Sequence, residues 1–132
     1  MTFPVVIFHN PACGTSRNVL AAIRAAGHEP EVIDYLTEGW TAPMLRALFA
    51  AAGITPRQAL RLKGTEAEAL GLTEADAPTI IAAMVADPML VDRPLVATPR
   101  GVRLVRPSER IAELLDRPLP AGLTKEDGTP LA

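Results

Sequence analysis

The first 35 residues switch twice between strand and helix patterning, and this restricts the fold more than any other feature. Phe3 to His9 is a short apolar run with β-branched residues, which reads as a buried strand. Asn10-Pro11-Ala12-Cys13-Gly14 is a loop. A helix follows, with Thr15 or Ser16 near its cap and apolar Val19, Leu20, Ile23 and Ala26 on one face. Gly27 is its stop signal. Glu31 to Tyr35 reads as a second strand. Strand, helix and strand in so short a span make a βαβ unit, so the strands are expected to be parallel with a right-handed crossover.

The middle of the chain reads as helical. Thr41 precedes a run with Met44, Leu45, Leu48, Phe49 and Ala52 on one stripe, closed by Gly53. Thr55-Pro56 offers a cap followed by proline at the first helical position. Thr65-Glu66-Ala67-Glu68 has capping-box spacing with Gly71 as a stop. A further helix carries Ile80, Ile81, Met84 and Val85 and ends before Pro88. The period then changes: Leu95 to Thr98 and Val102 to Val105 flank the turn Pro99-Arg100-Gly101, and Pro107-Ser108-Glu109 opens a last helix through Leu115. The order βαβ, helical insert, ββα is an α/β, thioredoxin-like layout with a mixed four-stranded sheet. Residues 1–117 are expected to form one domain and residues 118–132 a C-terminal surface tail.

Composition narrows the class of function. A net charge of −2 offers no positive field for nucleic acid or anionic membrane, and 4% aromatics argue against a base-stacking surface. Apolar runs such as Val5 to Phe8 are too short to span a bilayer, and Met1-Thr2-Phe3-Pro4 lacks the features of a signal peptide. One cysteine excludes an internal disulfide framework and fits a reducing compartment, so a cytoplasmic protein is expected. One cysteine and two histidines leave no metal site of ordinary ligand count.

Chemistry concentrates at Cys13. A lone cysteine is more often a small buried hydrophobe than a catalyst. Such a residue would sit inside a strand or on an apolar helix stripe, whereas Cys13 lies between a strand's end and a helix's start. Unpaired N–H groups and the helix dipole favour negative charge there, and cysteines so placed reach pKa values of roughly 3.5–7.5. Arg17 adds positive charge one turn on. The same amides, from Gly14 and Thr15 onward, suit an oxyanion, so nucleophile and anion cradle coincide.

His9-Asn10-Pro11-Ala12-Cys13-Gly14-Thr15-Ser16-Arg17-Asn18 closely resembles the active-site segment of the glutaredoxin-coupled arsenate reductase (ArsC) family of the thioredoxin-like superfamily. Arg93-Pro94-Leu95-Val96 and Arg106-Pro107-Ser108-Glu109 resemble its two later arginine motifs. Leu60-Arg61 with Glu68-Ala69-Leu70-Gly71-Leu72 resembles its helical segment, and Lys125-Glu126-Asp127-Gly128 its tail. These blocks run in order from about Val5 to Gly128. The resemblance implies that Arg61, Arg93 and Arg106 surround the substrate anion and that Pro94 is a cis-proline facing the cysteine. Guanidinium forks suit the paired oxygens of a tetrahedral dianion and the charge that builds as a thiolate attacks it. Each arginine also has a plainer reading: an exposed helix residue for Arg61, a solvated one for Arg93, a sheet-edge cap for Arg106. The resemblance implies that His9 assists the nucleophile, with loop packing the alternative. Ser16 and Thr15 are candidates both for capping and for a hydrogen bond to thiolate or anion.

With one thiol, the resemblance implies attack of Cys13 on arsenate, resolution by glutathione as co-substrate and completion by glutaredoxin, in a monomer without bound cofactor. A two-cysteine oxidoreductase, or a disulfide-switched regulator of the same fold, would want a second cysteine where Ser16 stands. A tyrosine-phosphatase-like loop would want arginine where Val19 stands. Cys13-Gly14-Thr15-Ser16 also resembles the signature of monothiol glutaredoxins, an iron–sulfur and glutathione-binding alternative that the long insert and Arg93-Pro94 do not suit. A second alternative is a related thiol reductase of another substrate: Arg61-Leu62-Lys63-Gly64 departs from the Arg-Lys-Asn run of the best-known members.

Overall fold

The structure is a computed structural model that describes residues 2–132; Met1, at the head of the segment tested for a leader, lies outside them. The chain divides into two compact units, one made of Met1–Asp34 and Arg93–Ala132 and the other of Tyr35–Asp92. The insert read as helical from the sequence falls within the second of these units.

The first unit holds the four strands β1 (Val6–His9), β2 (Glu31–Asp34), β3 (Leu95–Thr98) and β4 (Gly101–Leu104) in the order β2-β1-β3-β4. β1 pairs parallel with β2 and antiparallel with β3, which pairs antiparallel with β4. The sheet is mixed and the fold is thioredoxin-like. Central β1 is flanked on both edges, which suits its Val-Ile-Phe run. Helix α1 (Gly14–Ala25) lays Val19, Ala22 and Ile23 against the core with no exposure, and Gly27, at φ +97°, takes the left-handed turn that follows. Ile7, Val96, Val105, Ile111 and Leu114 complete this layer. Full burial of such side chains contributes about 1.5–3 kcal/mol each. The segment from Ser108 to Leu114 packs on α1 as a 3₁₀ helix rather than the expected α-helix through Leu115.

Residues 118–132 are mostly exposed, with three leucines at or against the core. Leu131 is only 3% exposed within the core, Leu119 and Leu123 pack against it, and the Leu131 N–H donates to the Leu123 carbonyl at 2.8 Å.

Register decides what meets at one end of this sheet. Phe8 of β1 stands beside Leu95 of β3, and Leu95 beside Leu104 of β4. The C-terminal end of β1, the start of β3 and the end of β4 therefore coincide. The loop to Cys13, the Arg93-Pro94 pair and Arg106 all leave the sheet there.

The second unit contains α2 (Tyr35–Glu38), α3 (Ala42–Ala52) and α4 (Ala77–Ala86). Thr41 caps α3 by accepting from the Met44 N–H, and Gly53 closes it at φ +69°. Asp76 caps α4 by accepting from the Thr79 N–H at 2.9 Å. Leu45 and Phe49 are the buried positions of α3, and Ile80, Ile81 and Met84 those of α4. The two helices expected after Thr55 and Thr65 do not form. Thr55 and Gln58 exchange side-chain and backbone hydrogen bonds over a single turn, and the Thr65 hydroxyl donates to Arg61 and Leu62 carbonyls. Only a 3₁₀ turn, Leu72–Glu74, follows Gly71. Caps alone do not repay nucleation where burial stops after one turn: Ala59, Leu60 and Ala67 are buried, but Leu62 and Leu70 are exposed.

Candidate active site

Cys13 is itself the N-cap of α1, with extended backbone (φ −97°, ψ 121°) and a carbonyl that accepts the Arg17 N–H at 3.0 Å. Thr15 and Ser16, expected near the cap, lie inside the helix instead; the chain turns earlier because Asn10 folds the loop. Its Oδ1 accepts the Ala12 N–H at 2.9 Å and its carbonyl accepts the Cys13 N–H at 3.0 Å. An Asn-Pro pair is an ordinary turn signal, so Asn10 was readable as the loop's organiser.

Ser16 has no exposure, and its Oγ accepts the Asn10 N–H at 3.0 Å. The same oxygen lies 2.6 Å from Nδ1 of His9. Burial pushes the His9 pKa down, with Arg24 and Arg17 adding to the effect and Asp34 opposing it. A neutral imidazole accepting at Nδ1 then fits the proton that the serine hydroxyl has left to donate. His9 and Ser16 thus act on the loop's shape: His9 bonds Ser16, and Ser16 bonds the Asn10 backbone.

Arg106 Nη1 lies 3.8 Å from Cys13 Sγ and donates to the Arg93 carbonyl oxygen at 2.8 Å. Arg93 is 7% exposed. The Arg93–Pro94 peptide is cis, as is Arg106–Pro107. Burial pushes the Cys13 thiol up, but hydrogen bonding from the Ser16 amide, Arg93 and Arg106, with the Arg93 charge, outweighs it and holds the pKa below that of an ordinary thiol. Sulfur, two guanidinium groups and the first turn of α1 with Gly14 and Thr15 make a place for a nucleophile and for the anion it attacks.

The ArsC family sequence model matches residues 8–114, a span that includes the nucleophile loop and both arginines. The chain belongs to the ArsC family. It is 56% identical to the arsenate reductase ArsI2 of Synechocystis, over 94% of this chain and 90% of that protein. Against the arsenate reductase of Escherichia coli K12 the identity is 46%, over 94% and 89%. Among solved structures, the arsenate reductase of Vibrio cholerae is similar with a TM-score of 0.81 at 33% identity, covering 87% of this chain and all of that one.

In this ArsC chain Cys13, His9, Ser16, Arg93, Pro94 and Arg106 belong to one unit. Arg17 belongs there too, with its guanidinium bonded to Glu126 and to the Pro11 carbonyl. Arg61 belongs to the other unit, where Nη1 pairs with Asp92 at 3.3 Å and Nε donates to the Lys63 carbonyl. Among the described residues no group of three or more His, Cys, Asp or Glu side chains is placed to hold a metal ion. No helix among them is long and apolar enough to cross a membrane. Glu126 and Asn18 were given no role from sequence; the tail block around Glu126 was the available signal.

Proposed function

We propose that this protein reduces arsenate to arsenite with Cys13 as nucleophile. The observation that carries this reading is the arrangement at the α1 N-terminus: a thiol of lowered pKa with Arg106 Nη1 3.8 Å from its sulfur. Family membership and relatives named arsenate reductases support the choice of oxyanion.

The Cys13 thiolate attacks As(V); an S–As bond forms and one arsenate oxygen, protonated, leaves as water. Arg93 and Arg106 offset the charge that gathers on the remaining oxygens. Reduction to As(III) then takes two electrons, which two thiol sulfurs supply by ending as a disulfide. The chain contains one cysteine, so the second thiol is external. Glutathione fills that role as co-substrate, and a glutaredoxin takes the sulfur adduct apart and restores Cys13. No bound cofactor is required by this balance. The reaction consumes reduced thiols, which places the protein in a reducing compartment such as the cytoplasm, and we assign it as a monomer.

The test is a coupled assay with purified protein, glutathione, glutaredoxin and NADPH-driven glutathione recycling. Arsenate-dependent NADPH loss that disappears in Cys13→Ser supports the reading. Undiminished turnover in that variant ends it.

A further inference from the structure

Arg17 stands one turn after Cys13, yet its guanidinium is engaged by the protein's own chain. Nε donates to both Glu126 carboxylate oxygens at 3.2 and 2.9 Å, Nη2 donates to Oε1 at 3.0 Å, and Nη1 donates to the Pro11 carbonyl at 2.9 Å. The carboxylate is held in place from both sides. The Glu126 N–H donates to Asn18 Oδ1 at 2.9 Å, the Lys125 N–H donates to the Thr129 carbonyl at 2.8 Å, and Leu131 is anchored in the core. Exposed ion pairs are ordinarily worth little; a two-pronged fork inside a network is the exception.

The location of this pair gives it a consequence. A Cβ built on Gly14, the residue after Cys13, would lie 3.7 Å from Arg17 Nη2 and 3.9 Å from Glu126 Oε1. Both charges therefore stand over the first residue of α1. Glu126 raises the Arg17 pKa most strongly, and Cys13 contributes in the same direction. An unoccupied guanidinium at a helix N-terminus beside a nucleophile would bind an oxyanion. Here that guanidinium is engaged by the two oxygens of Glu126 instead.

We propose that Glu126 masks Arg17 and thereby sets how weakly the site holds tetrahedral anions in general, so that the oxyanion is held by Arg93 and Arg106 without it, the C-terminal segment being the strap that keeps the mask in place. The proposal rests on reading the Cys13 pocket as an oxyanion site. Its logic is that an extra arginine would grip every tetrahedral anion alike. Such uniform binding tightens inorganic phosphate as much as arsenate and adds nothing to the chemical step.

The experiment needs no arsenate turnover: inorganic phosphate is titrated for its protection of Cys13 against iodoacetamide. Glu126→Gln is expected to tighten protection by roughly 2- to 5-fold, the scale of one partly exposed charge contact. The gain is expected to vanish in the Arg17→Ala background and to be absent in Glu126→Asp, which keeps the charge. Unchanged protection in Glu126→Gln overturns the proposal. So does equal tightening with and without Arg17, which would make Glu126 a mere background charge, and so does Glu126→Asp tracking Glu126→Gln. If phosphate protects neither wild type nor Glu126→Gln, this proposal and the anion-site reading fall together; protection without arsenate turnover sinks the proposed activity and leaves the mask standing.

Discussion

The guanidinium of Arg106 reaches back across 93 positions of sequence to place Nη1 3.8 Å from the Cys13 sulfur. That contact ties nucleophile activation and anion binding to one side chain. Arg106→Ala is expected to lower kcat/KM for arsenate by about 2–4 kcal/mol of transition-state stabilisation, the range for losing one oxyanion donor. The same variant raises the Cys13 pKa, since one of the groups holding it down is gone. Iodoacetamide rates against pH check the second effect independently of turnover. Wild-type efficiency with an unmoved alkylation profile would place the anion site elsewhere.

The thiol's depressed pKa also predicts how stability depends on pH. In the unfolded chain Cys13 titrates near the ordinary ~8.5; in the folded chain it titrates lower. Between those two values the unfolded state binds more protons, so stability rises with pH across that window. The contribution is fully present above the unfolded value and is lost as pH falls through the folded one. Urea unfolding of wild type and Cys13→Ser at a series of pH values is expected to show their difference growing in favour of wild type across the window. A constant difference would mean that the thiol is not activated.

Ser16 is expected to matter for the loop more than for the reacting atoms. Its buried hydroxyl is bonded to both the Asn10 N–H and His9 Nδ1. Ser16→Ala leaves both groups to find other partners, at about 1–3 kcal/mol for each that stays buried and unsatisfied. Urea unfolding reads the loss of stability, and the alkylation profile is expected to shift toward an ordinary thiol as the Ser16 turn loosens around Cys13. Ser16→Ala with wild-type stability would remove the serine from the loop's support.

How much of this was readable in the sequence depended on the range of the contact. Cys13 was legible because strand, loop and helix start follow one another locally. Arg93 and Arg106 were legible because each stands beside a proline in a recognisable block. The masking of Arg17 was not, since its partner Glu126 is 109 residues away and nothing local marks the pair. The missing helices after Thr55 and Thr65 show the opposite error. Their capping signals were real and each is satisfied within a turn that buries Ala59, Leu60 or Ala67, but Leu62 and Leu70 are 42% and 60% exposed, so burial does not recur at helical spacing beyond either turn. A local motif fixes a turn; burial decides whether a helix continues from it.

The C-terminal segment supplies the last test, because its exposure conceals its anchoring. Leu131 is 3% exposed and shares a core with Val5, Val19, Ile23 and Leu115. Truncating a buried leucine to alanine removes its burial and leaves a cavity, typically at 2–5 kcal/mol. Leu131→Ala is expected to fall within that range, measured by urea unfolding. The loss is expected to reach the active-site face through the strap. Loosening Leu131 frees the turn that carries Glu126, and phosphate protection of Cys13 should then move in the direction seen for Glu126→Gln. Stability unchanged within about 0.5 kcal/mol, the scale of an ordinary surface substitution, would show that residues 118–132 are the surface tail their composition suggests.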